Sequence, residues 1–309
     1  MILCCGEALI DMLPHQTSEG ETAFLPVSGG AVFNTAIALG RLGAPAGFFS
    51  GLSSDLFGEQ LRRSLAESGV DFDLATKADR PTTLAFVTLV DGQARYAFYD
   101  ENTAGRMVET SDLPAADTIH AEALFFGGIS LINDPAASSY ETLMLSVADR
   151  LPVMLDPNIR ASFIKDEEAY RARLERMIAA STILKVSDED LEWLAGKSEP
   201  EIAARQMLGR GPALVIVTRG EAGALAFTAT ASVNQPARRA KVIDTVGAGD
   251  TFNAGILCAL HEMKKLSRPA IEALDPTSLQ SCLSLGIESA AVTVSRAGAN
   301  PPWRSDLSL

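Results

Sequence analysis

The sequence predicts a three-layer α/β/α protein in which a mostly parallel central sheet lies between helices. Strand-like and helix-like runs alternate across residues 122–195, and this spacing is typical of βαβ units. Two further strand-like runs, at residues 82–90 and 94–99, are separated by Asp91-Gly92, which is a strong hairpin signal. We therefore expect one large α/β domain with a small antiparallel addition.

Composition agrees with a soluble enzyme that binds small molecules. The chain has 309 residues, of which 47% are hydrophobic and 21% charged, so it can bury a large core. Acidic residues outnumber basic ones by 39 to 26, which leaves a net charge of −13. This charge argues against nucleic acid or an anionic membrane surface as the partner. No apolar stretch is long enough to span a bilayer.

The N-terminus and the cysteines predict a cytoplasmic protein. Residues 2–5 read as a buried first strand, and no basic segment of a signal peptide precedes them. The four cysteines form no C-x-x-C pair and lie in apolar segments. Buried free thiols in a reducing compartment are therefore expected. The three histidines are too scattered for a metal cluster.

Apolar periodicity and glycine or proline breaks predict the order of the elements. Strands are expected at 2–5, 46–50, 82–90, 94–99, 123–126, 152–156, 182–186, 213–217 and 239–243, with a short strand pair opening at Gly223. A second apolar segment, which carries Asp11, follows the break at Gly6. Helices are expected at 35–42, 55–68, 136–150, 167–180, 188–195, 252–263 and 278–295. In the parallel part of such a sheet, ligands bind at the carboxyl ends of the strands.

Residues 244–255 read D-T-V-G-A-G-D-T-F-N-A-G and open a predicted helix. Gly247 and Gly249 let the backbone turn so that successive amides face one point, where the positive end of the helix favours an anion. Asp250 would be repelled by a bound phosphate unless it takes part in the chemistry, and a general base for a hydroxyl nucleophile fits. A plain helix start is the alternative for a shorter G-x-G-D.

This run resembles the C-terminal signature of the PfkB family of sugar kinases, which have the ribokinase-like fold. Residues 29–43 are similar to the N-terminal signature of that family, G-G-x-x-x-N-x-A-x-x-x-x-x-L-G. The resemblance implies one kinase domain over 1–309, with a β-lid formed by about 12–28 and 82–107. It also implies that Asp250 is the base and that the turn Gly247-Ala248-Gly249 holds the developing charge.

The resemblance further implies a sugar site at the first strand and the first helix. Asp11 would accept hydrogen bonds from sugar hydroxyls, and capping of a turn is its structural alternative. Gly29 and Gly30 permit close approach of the backbone, while the amide of Asn34 can both donate to and accept from hydroxyls.

Lid aromatics and one arginine extend this implied sugar site. Alternation along the second hairpin strand places Tyr96 and Phe98 on one face, where they would cover the sugar. A core contact, or a homodimer formed through the lid, is the alternative. Residues 156–160 read D-P-N-I-R, similar to the D-x-N-x-R of fructokinases and ketodeoxygluconate kinases. Arg160 would bind sugar oxygens or the transferring phosphate.

The family resemblance implies ATP and Mg²⁺, and leaves open a monovalent cation such as K⁺. The usual N-x-x-E motif is altered to Ser187 and Asp190, so magnesium binding through water at Asp190 competes with helix capping. Small residues of the last helix could line an adenine slot or simply pack. The residues implied for nucleotide binding are Lys185, Ser187, Thr218, Gly220, Gly223, Gly247 and Gly249.

Fructose is the preferred substrate, and the motifs are most like those of bacterial fructokinases. Asp100 and Glu101 follow the lid aromatics, where ketodeoxygluconate kinases carry an arginine for the substrate carboxylate. Two acids would repel that carboxylate but could accept from neutral hydroxyls. A ketodeoxygluconate kinase, or another PfkB sugar or nucleoside kinase, is the alternative. A sugar-binding regulator without turnover is the rival class, which has no need of Asp250.

Overall fold

Apolar strands and helices alternate along the described chain, which comprises residues 1–90 and 93–308 of a computed structural model. For residues 87–90 and 93–96 only the backbone is described. The strands are β1 (Ile2–Cys5), β2 (Leu9–Gln16), β3 (Thr22–Gly29), β4 (Ala46–Phe49), β5 (Gly51–Ser53), β6 (Val70–Asp71), β7 (Thr76–Ala78), β8 (Leu84–Val90), β9 (Gln93–Tyr99), β10 (Ala123–Gly127), β11 (Val153–Asp156), β12 (Ile183–Ser187), β13 (Leu214–Thr218), β14 (Ala224–Phe227) and β15 (Ser232–Gln235). The α-helices are α1 (Ala31–Arg41), α2 (Leu56–Glu67), α3 (Ala136–Val147), α4 (Glu167–Ala180), α5 (Asp188–Ala195), α6 (Pro200–Leu208), α7 (Ala248–Glu262), α8 (Arg268–Glu272) and α9 (Pro276–Val294).

The central sheet has the strand order β15-β14-β13-β12-β11-β10-β1-β4-β6. All pairs from β13 to β6 are parallel, and the two pairs at the β15 edge are antiparallel. Successive residues of β1 point to opposite faces. Ile2 and Cys4 pack with α1, α7 and α9, whereas Leu3 and Cys5 pack with α3 to α6. This arrangement confirms the predicted α/β/α layers.

A second, four-stranded sheet, which we call the lid, has the order β3-β2-β8-β9. Its outer pairs are antiparallel, while β2 and β8 run parallel. Val27, Asp11, Ala85 and Phe98 face one another across the four strands, so they project from the same face. Asp11 and Phe98, two predicted sugar ligands, therefore share one face of the lid.

The opposite face of the lid carries an aromatic row. Phe86 makes edge contacts with Phe24 and Tyr99, at ring-centroid distances of 5.0 and 5.4 Å. The predicted turn at Asp91-Gly92 and the side chain of Tyr96 lie outside the described residues, so the expected pairing of Tyr96 with Phe98 stays a prediction.

The predicted strand at residues 239–243 is wrong. The N–H groups of Ile243 and Asp244 donate to the carbonyl of Val294 at the end of α9, at 2.7 and 3.2 Å. Val242 and Ile243 are 62% and 59% exposed. The end of this segment therefore bonds to a helix end instead of joining the sheet. The short helices α6 and α8 were absent from the predicted order.

Two smaller expectations can be compared with the described residues. All four cysteines are buried and free, as expected. Within residues 1–90 and 93–308, no helix has the length and apolar character needed to cross a membrane.

Candidate active site

The glycine-rich turn ends where α7 begins. Gly247 has a left-handed conformation with a φ of 77°, and a β-carbon there would lie 2.7 Å from the Cβ of Ala299. Gly249 and Asp250 occupy the first turn of α7, where N–H groups have no acceptor within the helix. The predicted anion site therefore has the helix N-terminus that it requires.

The carboxylate of Asp250 is held by the first helix of the chain. Asn34 donates from Nδ2 to Oδ2 of Asp250 at 2.9 Å, and both residues are buried. The hydroxyl of Thr35 donates to the backbone carbonyl of Asp250 at 3.3 Å. The two segments that carry the family signatures thus meet at one carboxylate.

Burial raises the pKa of Asp250 to about 7. The hydrogen bond from Asn34 opposes this rise, the negative charges of Asp156 and Glu7 add to it, and Lys185 opposes it. A carboxylate with a pKa near neutrality is a stronger base than an ordinary aspartate and is still largely ionised above pH 7. These are the properties of a general base.

Glu7 links the start of α1, which carries Asn34, to the turn that follows β10. Its Oε1 accepts from the N–H of Ala31 at 3.0 Å, and its Oε2 accepts from the N–H of Ser130 at 3.1 Å. A β-carbon on Gly30, whose φ is 106°, would lie 2.9 Å from the carbonyl of Glu7. Glu7 is not among the predicted site residues, and its one signal in the sequence is a carboxylate inside an apolar run.

A second buried cluster of polar side chains lies beside the glycine-rich turn at the N-terminus of α7. Asp156, at the end of β11, accepts through Oδ2 from Lys185 Nζ at 2.9 Å and from Asn253 Nδ2 at 2.7 Å. The ammonium nitrogen of Lys185 lies 3.3 Å from the position that a β-carbon on Gly249 would take. Lys185, predicted to bind the nucleotide, is therefore beside the turn. Asp156 and Asn253 belong to the runs at 156–160 and 244–255, but neither is among the predicted site residues.

Asp11 lies on the lid strand β2, close to Gly29 of β3. A β-carbon on Gly29 would lie 2.2 Å from Oδ2 of Asp11, so only glycine accommodates this carboxylate. Burial raises the pKa of Asp11 to about 6. A half-buried carboxylate on this face of the lid suits a ligand with hydroxyl groups.

A cavity of about 730 Å³ lies between the end of the lid and the α/β body. Phe98 and Phe163 line it and contact each other at a centroid distance of 4.6 Å. Asp100 also lines it, but its Oδ2 accepts from Arg106 at 2.7 Å and from Asn133 at 3.3 Å. Of the two acids expected to repel a substrate carboxylate, Asp100 is therefore paired with a cation, Arg106, which weakens that repulsion.

Arg160 lies at the rim of the strand ends. Its guanidinium donates to the carbonyls of Asn158 and Ile159, at 3.4 and 3.0 Å, and the residue is exposed. Among the described residues, no contact joins Arg160 to Asp250 or to the lid.

A cleft of about 900 Å³ opens on the other side of the α7 turn. Predicted nucleotide residues Thr218, Gly220, Gly223 and Gly249 line it together with Ala290 of α9 and its neighbours. Gly223 has a φ of 88°, and a β-carbon there would lie 2.1 Å from the carbonyl of Gln235. Four of the seven predicted nucleotide residues therefore share one cleft, and one of them, Gly249, is the neighbour of Asp250 in the chain.

Ser187 and Asp190 form a capping box at the start of α5. Ser187 Oγ accepts from the N–H of Asp190 at 3.0 Å, and Asp190 Oδ2 accepts from the N–H of Ser187 at 3.3 Å. The other oxygen of Asp190 accepts from the N–H of Ile159 at 3.0 Å. Both carboxylate oxygens are thus engaged by backbone, which does not fit direct coordination of a metal.

Comparison with known proteins defines the class to which this fold and site belong. The family model described as pfkB family carbohydrate kinase matches residues 1–306, and the chain belongs to this family. It is 50% identical over 280 residues to a fructokinase from Rhizobium leguminosarum bv. trifolii, covering 91% of this chain and 86% of that protein. It is 31% identical to the probable fructokinase-4 of Arabidopsis thaliana, over 97% of this chain and 93% of that protein.

The comparison with solved structures gives the same family. The crystal structure of a fructokinase with bound ATP from Xylella fastidiosa has a TM-score of 0.88 and 30% sequence identity. The match covers 96% of this chain and 93% of that one.

Proposed function

We propose that this protein is a fructokinase, which transfers the γ-phosphoryl group of ATP to a primary hydroxyl of fructose. The observation that carries the proposal is the buried pair of Asn34 and Asp250 at the N-terminus of α7. A base held beside an anion-binding turn is the arrangement that phosphoryl transfer to a hydroxyl requires. The 50% identity to a rhizobial fructokinase supports fructose as the acceptor.

In the proposed reaction Asp250 accepts the proton of the sugar hydroxyl. The hydroxyl oxygen bonds to the γ-phosphorus, and the bond from that phosphorus to the bridging oxygen breaks, so that ADP leaves with the bonding electron pair. N–H groups at Gly249 and Asp250 stabilise the negative charge of the transferring group. Lys185 adds a positive charge beside the same turn.

The sugar would lie between the lid and the N-terminal ends of α1 and α7. Asp11 accepts from its hydroxyls, Asn34 both orients Asp250 and reaches the sugar, and Gly29 and Gly30 leave room for close approach. Phe98 covers an apolar face of the ring. In this structure the guanidinium of Arg160 donates to the carbonyls of Asn158 and Ile159. We propose that it turns toward the transferring phosphate when the lid closes.

The nucleotide would occupy the cleft between Thr218 and α9. Its phosphates then point toward the α7 turn, and its base lies against the small residues of α9. Mg²⁺ in kinases neutralises the phosphate charge and is held by few carboxylates plus the phosphates themselves. Because Asp190 is engaged as a helix cap, we infer that the phosphates supply most of the ligands and that Asp190 reaches the metal only through water.

A second candidate, a 2-keto-3-deoxygluconate kinase, is favoured by two observations at the lid cavity. Arg106 neutralises Asp100, and Lys165 lines the same cavity, so a substrate carboxylate would meet less repulsion than the sequence suggests. The rivals are separated by kcat/KM for each sugar at saturating ATP.

The proposal is tested with purified protein, ATP, Mg²⁺ and a panel of sugars. We expect ADP release that requires fructose and a product identified as a fructose monophosphate by mass spectrometry and ³¹P NMR. A higher kcat/KM for ketodeoxygluconate would assign the protein to the keto-acid kinases. Tight binding of fructose without ADP release would identify a sugar-binding regulator instead.

A further inference from the structure

Three polar side chains from three different elements meet behind the α7 turn. Asp156 ends β11, Lys185 lies in β12 and Asn253 lies in the second turn of α7, and they are 2%, 4% and 1% exposed. Lys185 and Asn253 both donate to the same carboxylate oxygen, and the other oxygen accepts from the N–H of Asn158 at 3.2 Å. The carboxylate is therefore the common acceptor of the cluster.

Burial of these polar side chains costs free energy of desolvation. We therefore expect the cluster to have a role that apolar residues could not fill. A buried ion pair adds little net stability compared with apolar residues of similar volume. The Oδ1 atom of Asn253 is also buried without a hydrogen-bond partner among the described residues. The position of the cluster is informative, because Asn253 follows Asp250 by three residues on α7 and Lys185 Nζ approaches Gly249.

We propose that Asp156 is a positioning residue for the phosphoryl transfer, because its carboxylate fixes Lys185 beside Gly249 and holds Asn253, one turn after Asp250 on the same helix. The inference rests on the proposed kinase function for its catalytic consequence. Its structural basis, the three-way contact, is independent of the substrate.

Electrostatics gives the positioning a measurable consequence. Four polar groups from separate parts of the chain influence Asp250: Asn34 from α1, Glu7 from the segment before β2, Asp156 from β11 and Lys185 from β12. The charge of Asp156 raises the pKa of Asp250, and the charge of Lys185 lowers it. The two effects have opposite signs, so removal of one partner should shift the pKa of Asp250 in a direction set by the charge that remains.

The first test is a titration of the Asp250 carboxyl carbon by ¹³C NMR in the ligand-free protein. Asp156→Asn leaves Lys185 unopposed and is expected to lower the pKa of Asp250, by about one pH unit. Lys185→Met leaves Asp156 unopposed and is expected to raise it. The double variant removes both charges and is expected to return it toward the wild-type value. The matched control is Glu141→Gln, which breaks a buried pair with Arg173 on the opposite layer and should leave the titration unchanged.

The second test separates positioning from charge. Asn253→Ala keeps both charges and removes the link to α7, so kcat should fall by about tenfold to a hundredfold with little change in KM for ATP or sugar. Circular dichroism and thermal unfolding verify that each variant is folded.

The outcomes are distinguishable from failure of the proposed function. The inference is overturned if the pKa of Asp250 shifts in the same direction in both single variants, or shifts in neither of them. This holds even if the protein phosphorylates fructose. Opposite shifts without any kinase activity retain the electrostatic link and refute the proposed function. An Asn253→Ala variant with wild-type kcat also overturns the positioning role.

Discussion

Asn34 Nδ2 and Asp250 Oδ2 are 2.9 Å apart although 216 residues separate them in the chain. The bond joins α1 to α7 and fixes the direction in which the proposed base points. Because the carboxylate is buried, this single donor is also the strongest of the interactions that oppose its protonation. The same hydrogen bond therefore both joins α1 to α7 and influences the pKa of Asp250.

Replacement of Asp250 by asparagine should retain the fold and remove the base. Turnover is expected to fall by roughly two to four decades, the usual effect of a positioned general base, while KM for fructose and ATP changes little. Steady-state kinetics on the folded variant provide the measurement. Activity within tenfold of wild type would contradict the assignment of Asp250.

The pH dependence of the wild-type enzyme should follow the ionisation of the same carboxyl. Because the pKa of Asp250 is raised to about 7 and the ionised form is the base, kcat/KM should fall tenfold for each pH unit below that value. A profile measured from pH 5 to 9, with coupling enzymes in excess, checks this. A flat profile down to pH 5 would rule out Asp250 as the titrating base.

The stability of the folded protein should fall as the pH rises toward 7, whereas kcat/KM should rise over the same range. The pKa of Asp250 is raised from 3.8 to about 7 on folding, so the folded state binds the proton more tightly than the unfolded state. Below about pH 4 the carboxyl is protonated in both states and does not lower the free energy of unfolding. Between pH 4 and pH 7 it lowers the free energy of unfolding by about 1.4 kcal/mol for each pH unit. Asp250→Asn should therefore exceed wild type in free energy of unfolding at pH 8 but match it at pH 4. Urea unfolding at both values tests the sign.

The turn before α7 should tolerate no side chain at Gly247. Alanine there would meet both the left-handed φ of 77° and Ala299 at 2.7 Å, so we expect a loss of about 2–5 kcal/mol and loss of turnover. Gly196 is a matched control, since its φ is 78° but nothing lies within 4 Å of the added carbon. Gly196→Ala should cost about 1 kcal/mol and leave kcat unchanged. Equal effects of the two changes would show that collision with Ala299 is unimportant.

The lid should become ordered against the body when sugar binds. It lies outside the central sheet, and a cavity of about 730 Å³ separates its end from the body. Closure excludes water, which otherwise competes with the sugar for the phosphoryl group. Hydrogen exchange of β8 and β9 should slow when fructose is added, while β14 and β15 at the far edge should not respond. Unchanged exchange in β8 and β9 would exclude closure.

Local patterns in the sequence determined much of this protein. The alternation of strands and helices predicted the parallel sheet, since periodicity and turn residues report which segments can bury an apolar face. The run at 244–255 predicted the turn, the helix and the base, because glycine spacing and one carboxylate are local features. The same reasoning failed at 239–243, where apolar residues suggested a strand but bond to the end of α9.

Tertiary structure decided which distant groups meet. Asn34 reaches Asp250 because α1 packs against α7. Asp156 meets Lys185 because β11 and β12 are neighbours in the sheet, and α7 brings Asn253 to the same carboxylate. Such contacts join residues from separate elements, and a one-dimensional pattern carries no information on the distance between them. The charge and pKa of each group depend on that distance and on burial, which only the packed fold supplies.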